Sequence, residues 1–327
     1  MYVSTIVEIY SLAKNIKNYM ITILDIVFFQ SGQFVNSSSS WIMEFIQTII
    51  GAGIGSGVTI WALYTNIKYD RIKEEEKRQN FQKEKVKYFQ SIVKAINGDL
   101  NIQLINLKNF IEKTNTNSIE LPMLDSIPMN DLERVVHRLN IEDYYHSYLY
   151  VFGDNQEIID EFRKINSLLN YFDSILNQIK DGLKQSIEFD YRRKIKLQNL
   201  IENTMNDASS LLLNVEIRTN RNDFWSFLDN TITTFYTKRD ETTNNSDLKF
   251  FYENFIQVMQ FGLINFTTTI PHAHNLIIQM KNASNIYNDI LFQNKNVATD
   301  FENMLTNMNE FYSELRTKTE RLTNNFC

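Results

Sequence analysis

Apolar positions along this chain recur every three or four residues, the spacing of a helix with one buried stripe. The clearest case is Ile158, Phe162, Ile165, Leu169, Phe172, Leu176, Ile179 and Leu183. Similar stripes predict helices near 190–218, 221–238, 247–268, 272–294 and 297–323, the fourth opened by Pro271. Asp131 is placed to cap a helix reaching about Tyr150, with Gly153 and Asp154 as its stop and the next start. Loops are expected at 113–129, which holds Pro122 and Pro128, and at 239–246. The stripes fit one core, so the expected fold class is all-α, with a helical bundle over 113–327.

The first third of the chain is patterned differently. Residues 42–65 carry one charge, Glu44, and would rise about 36 Å as a helix, against roughly 30 Å of bilayer hydrocarbon. Trp41 stands at one end and Trp61 and Tyr64 at the other, where interfacial aromatics anchor a membrane span. Eight basic residues follow between Lys68 and Lys87, whereas only Lys14 and Lys17 precede the segment. The positive-inside rule then places everything after Thr65 in the cytoplasm. Residues 41–65 are therefore expected to be a transmembrane helix. Residues 66–112, rich in Lys, Glu, Arg and Gln with a sparse seam of Ile67, Ile72, Val86, Phe89, Val93 and Ile96, are expected to be a solvated stalk helix, with Gly98 as a kink.

Inside the apolar stretch lies GAGIGSG, residues 51–57. No Gly-Lys-Ser/Thr follows it, and neither frame completes Gly-x-Gly-x-x-Gly, so it is no phosphate loop. As membrane helix it offers Gly51, Gly53, Gly55 and Gly57 in two small-xxx-small pairs, with Ala52 and Ser56 alongside, a pattern that favours close helix association in lipid. Residues 1–40 form an N-terminal helix and a polar linker. Over 1–29 the polar positions Ser4, Glu8, Ser11, Asn15, Asn18, Thr22 and Asp25 make a narrow stripe on an otherwise apolar helix. That helix can lie in the interface, cross the membrane with its stripe toward a partner or lumen, or pack on the soluble domain. It lacks the basic start and cleavage site of a signal peptide.

Composition narrows the rest. The 327 residues hold only 9 glycines and 3 prolines, too little turn punctuation for a sheet protein. A net charge of -6 gives no basic footprint for nucleic acid. The single cysteine, Cys327, cannot form an internal disulfide. High Asn, Ile and Lys usage points to an AT-rich bacterial genome.

Candidate chemistry is thin. His272 and His274 sit in PHAH, and His137 and His146 lie near one helix, without a third ligand or a Cys cluster to make a metal site. An all-α ribonuclease of the HEPN type needs an Arg and a His at a set short spacing; Arg134 and His137 are too close, and Arg138 and His146 have seven residues between them. No Gly-x-Ser-x-Gly element supports nucleophilic catalysis. Tyr144, Tyr145, Tyr148 and Tyr150, and Phe224, Trp225 and Phe227, are expected as core or interface. No catalytic residue, cofactor or metal site is expected.

A Gly-rich span running directly into a charged helix (GAGIGSGVTIWALYTNIKYDRIKEEEKRQ, residues 51–79) resembles bacterial single-pass, membrane-anchored helical proteins. Some of these are encoded in phage-defence loci, where the membrane protein compromises the envelope. The resemblance implies a non-enzymatic, oligomeric effector or scaffold of the inner membrane, whose partners are the bilayer, further copies of the chain and a cytosolic protein. Antiviral defence is the pathway it implies.

Overall fold

The computed structural model describes residues 40–241 and 247–324, with side chains over 43–241 and 247–321. The stripe Ser4, Glu8, Ser11, Asn15, Asn18, Thr22 and Asp25, the Trp41 side chain and Cys327 lie outside this description. The described residues are helical throughout their ordered elements and include no strand. The chain divides into two compact units, Met1–Arg78 and Gln79–Cys327.

Helix α1, Ser40–Thr116, contributes to both units. In the second unit, α2 (Asn130–Glu133) continues into a π turn, Arg134–Arg138, and α3 covers Ile141–Phe152. Leu139 takes an extended backbone (φ -82°, ψ 138°) and packs on the core, so the helix expected from Asp131 to Tyr150 is broken there. Gly153, at φ 99°, ends α3 in a conformation that only glycine adopts without strain. The next N-cap is Asn155, one residue beyond the expected Asp154, and its side chain accepts from the Ile158 amide at 2.9 Å.

Two long helices replace four expected ones. Helix α4, Gln156–Leu212, joins the 158–183 and 190–218 stripes, and α9, Pro271–Asn324, joins 272–294 and 297–323. Neither interval holds a Gly or Pro breaker, so the helical ladder simply continues. Between them lie α5 (Val215–Asn220), α6 (Asn222–Glu241), α7 (Leu248–Phe251), a π turn at Tyr252–Ile256, α8 (Gln257–Leu263) and a 3-10 turn at Ile264–Phe266. Arg239–Glu241 end α6 instead of opening the expected loop.

Helix α9 lies along α4, and two apolar clusters form at successive levels of this pair. The first joins Val93, Ile96 and Leu107 of α1 to Tyr148, Phe172 and Met308. The second joins Leu197 and Ala208 of α4 to Phe224, Phe235, Phe255 and Met280. Between them the wholly buried Asn294 donates to the Ser118 carbonyl and to Asp190 Oδ1, both at 2.9 Å, which leaves its amide hydrogens satisfied.

One expectation for α1 changes. Val86, Phe89, Ile92, Val93 and Ile96 are buried, so the solvated stalk expected over 66–112 gives way to core from Val86 on. The seam looked sparse because one α1 face serves a core whose other walls are distant in sequence. The helix runs on unbroken through Gly98. A lone glycine costs roughly 1 kcal/mol of helix propensity, which burial of Ile96 and Leu100 on either side outweighs.

Gly262 of α8 is the one described glycine where packing forbids a side chain: a Cβ there collides with the Phe227 ring, which packs on Phe266 at 5.7 Å between centroids. Gly262→Ala is expected to cost about 1–3 kcal/mol, seen as a lowered thermal midpoint of the purified protein. Gly98→Ala, whose Cβ meets nothing within 4 Å, is expected to hold or raise that midpoint.

Candidate membrane-spanning segment

One described helix is long and apolar enough to cross a membrane, and its apolar window has no buried residue. The large side chains Phe45, Ile49, Val58, Ile60, Trp61, Leu63 and Tyr64 are all more than half exposed. In water such a surface is costly, at about 25 cal/mol per Å² of apolar area. Lipid removes that cost. It demands in return that every polar group be satisfied within the helix.

The hydroxyls meet this demand. Thr48 Oγ1 donates to the Glu44 carbonyl at 2.7 Å, Ser56 Oγ to Gly53 at 3.1 Å, and Thr59 Oγ1 to Gly55 at 2.8 Å. Thr65 Oγ1 donates to the carbonyls of Trp61 and Ala62, both at 2.9 Å. Each folds back on the preceding turn, so no serine or threonine hydroxyl in the stretch asks for water. Glu44 is exposed at the start of the helix, and Trp61 and Tyr64 are exposed toward its end, before the basic run.

The four glycines do not form one face. Successive residues of an α-helix are rotated by roughly 100°, which sets the Gly51/Gly55 pair about 160° from Gly53/Gly57. Around Gly51 and Gly55 fall the small Thr48, Ala52, Thr59 and Ala62, with the larger Val58 and Glu44 about two turns from Gly51 on the same side. Around Gly53 and Gly57 fall Ile46, Ile50, Ile60 and Tyr64, all large. Small residues therefore concentrate on the first side, and added Cβ atoms at all four glycines meet nothing within 4 Å. Glycine counting alone missed Thr48, Thr59 and Ala62; their three- and four-residue spacing from Gly51 and Gly55 was the signal.

The second unit places the other sequence candidates. His137 Nε2 lies 3.1 Å from Asp173 Oδ2, and Arg138 Nη2 donates to Glu133 Oε1 at 2.7 Å. The Arg138–His146 pair that a HEPN-type site needs is not formed; the His146 ring sits beside Tyr145 at 5.7 Å. Among the described residues no three His, Cys, Asp or Glu side chains gather as a metal site. Tyr148 and Phe224 are core, and Trp225 Nε1 donates to the Leu212 carbonyl at 2.9 Å. Burial, with the Glu161 carboxylate that accepts its hydroxyl, raises the Tyr148 pKa far above the ordinary phenol value. Burial likewise pushes Tyr287 up to about 12, helped by Glu253 and the Tyr252 ring stacked on it at 3.8 Å.

No protein-family model matches this chain, and no curated protein matches it in sequence. The physical character of the 43–65 surface thus carries the functional reading. Ile54→Arg is expected to raise the insertion cost by about 2.5–3.5 kcal/mol, moving protein from the carbonate-resistant membrane fraction to the soluble or degraded pool. Ile102→Arg, an equally exposed change on the second unit's part of α1, is expected to leave the distribution unchanged.

Proposed function

We propose that this chain is a membrane-anchored helical effector or scaffold of the bacterial inner membrane, acting as an oligomer and without catalysis of its own. The observation that carries this reading is the bare apolar surface of residues 43–65, whose serine and threonine hydroxyls are satisfied by their own helix. The basic run from Lys68 to Lys87 supports a cytoplasmic placement for the helical bundle that follows. In this reading residues 66–85 are the stalk that joins span to bundle.

The small-residue side of the span, Thr48, Gly51, Ala52, Gly55, Thr59 and Ala62, brings copies together in lipid through close backbone contact. For a pore-forming assembly, the stripe Ser4, Glu8, Ser11, Asn15, Asn18, Thr22 and Asp25 is the lumen candidate that the sequence offers. The resemblance to envelope-compromising proteins of phage-defence loci agrees with this role.

The test uses cross-linking in membranes together with dye influx into expressing cells. Paired Gly51→Leu and Gly55→Leu changes are expected to weaken association by about 1–2 kcal/mol and to reduce influx, with insertion intact. Paired Gly53→Leu and Gly57→Leu changes are expected to do neither. Loss of association in both pairs, or in neither, would remove the packing claim.

One observation favours a second reading, a tether that recruits a cytosolic protein and never opens the membrane. Ile187, Tyr191 and Ile195 of α4, four residues apart, are 45%, 65% and 40% exposed and form an apolar ridge on the second unit. A pull-down with residues 66–327 separates the two readings. The effector reading expects this fragment to be inert in cells; if it supports full function, the tether reading replaces it.

A further inference from the structure

The second unit contains a cleft of about 640 Å³ built by parts of the chain that are far apart in sequence. Its floor is α1 at Gln103, one wall is the loop segment 124–129, and the others come from α2 with its π turn and from α4 between Asp173 and Leu183. That volume lies in the range of small-molecule sites. The apolar lining includes Leu124, Ile127, Pro128, Leu132 and Leu176.

Its polar groups are unequally committed. Gln103 is 4% exposed, and its Oε1 accepts from the Ile127 amide at 3.1 Å. That bond fixes which way the carboxamide points, and the Nε2 donor has no partner among the described residues. Asp173 is held by His137 at 3.1 Å and by Asn177 Nδ2 at 3.4 Å, and Glu133 is held by Arg138. Lys180 is the one charged lining group without an ion-pair partner among the described residues. Each acidic side chain thus has a partner, while the Lys180 ammonium and the Gln103 Nε2 donor have none among the described residues. Two donors beside an apolar wall suit a ligand with acceptors on a greasy body.

We infer that this cleft binds a small organic anion, a carboxylate or phosphate monoester on a flat apolar body, with Lys180 taking the charge and Gln103 Nε2 donating to an acceptor. The site belongs wholly to the second unit and does not rest on the membrane reading. The Gln103 and Asn106 side chains, bonded to Ile127 N and to the Asp125 carbonyl at 2.7 Å, strap the loop so that the cleft is formed before the ligand arrives.

The probe is 1-naphthyl phosphate, titrated calorimetrically into the full chain in zwitterionic nanodiscs, with empty nanodiscs subtracted. Saturable binding is expected at a Kd on the order of 1 mM or tighter, as for a fragment-sized ligand. Inorganic phosphate alone is expected to bind at least about tenfold more weakly, because it leaves the apolar wall unused. Lys180→Ala is expected to weaken the probe about fivefold, and Ser126→Trp, which fills the mouth from an exposed position, to abolish binding. Absence of saturable binding overturns the site. An affinity unchanged by Lys180→Ala overturns the anion assignment, and one unchanged by Ser126→Trp overturns the location.

Discussion

A helix whose large side chains are left bare by every described residue must take its stability from its surroundings. Residues 43–65 are such a helix, and the contrast with α4 and α9 is instructive. Those two are amphipathic, and along most of their length an apolar stripe of each is buried in the clusters. Residues 43–65 expose large apolar side chains around most of their circumference and carry no charge after Glu44. Fully burying one Leu, Ile or Phe is worth about 1.5–3 kcal/mol, so a dozen left bare would outweigh the whole net stability of an ordinary domain. Lipid or further copies of the chain can supply the missing contact. The functional reading follows from that requirement.

Much of this was legible in the sequence, for identifiable reasons. Helix type follows from three- and four-residue apolar spacing and the scarcity of Gly and Pro, and α3's end from Gly153. Helix length was less legible. Ile187, Tyr191 and Ile195 look like part of a buried stripe, yet they are exposed, and the apolar pattern cannot distinguish one bent stripe on one helix from two helices. The core role of α1 from Val86 onward was also hidden. Its partners, Tyr148, Phe172 and Met308, stand tens of positions away, so no local window reports them.

The cleft was invisible for the same reason. Gln103 reads as an ordinary polar position on a charged helix, and Lys180 as one of many solvated lysines. Only the strap from Gln103 to Ile127 reveals that the glutamine is buried and orients the loop. Sequence attention went instead to His137 and Arg138, because histidine and arginine carry catalytic associations. In the fold His137 hydrogen-bonds Asp173 and Arg138 pairs with Glu133, which leaves Lys180 as the charged lining group without an ion-pair partner among the described residues.

The partition of the core separates two kinds of failure. Every member of both apolar clusters lies at or beyond Val86, so neither cluster draws on residues 43–65. A glycine change on the small-residue side of the span therefore removes no contact from either cluster, and an effect on the membrane cannot be blamed on an unfolded second unit. Conversely, Ser126 and Lys180 are exposed and lie outside both clusters, so a change in ligand affinity there does not report lost packing. Distant sites without shared partners add independently, to within a few tenths of a kcal/mol. A measured coupling between the cleft and the glycine side of the span would therefore be evidence that the protein transmits a signal from one unit to the other.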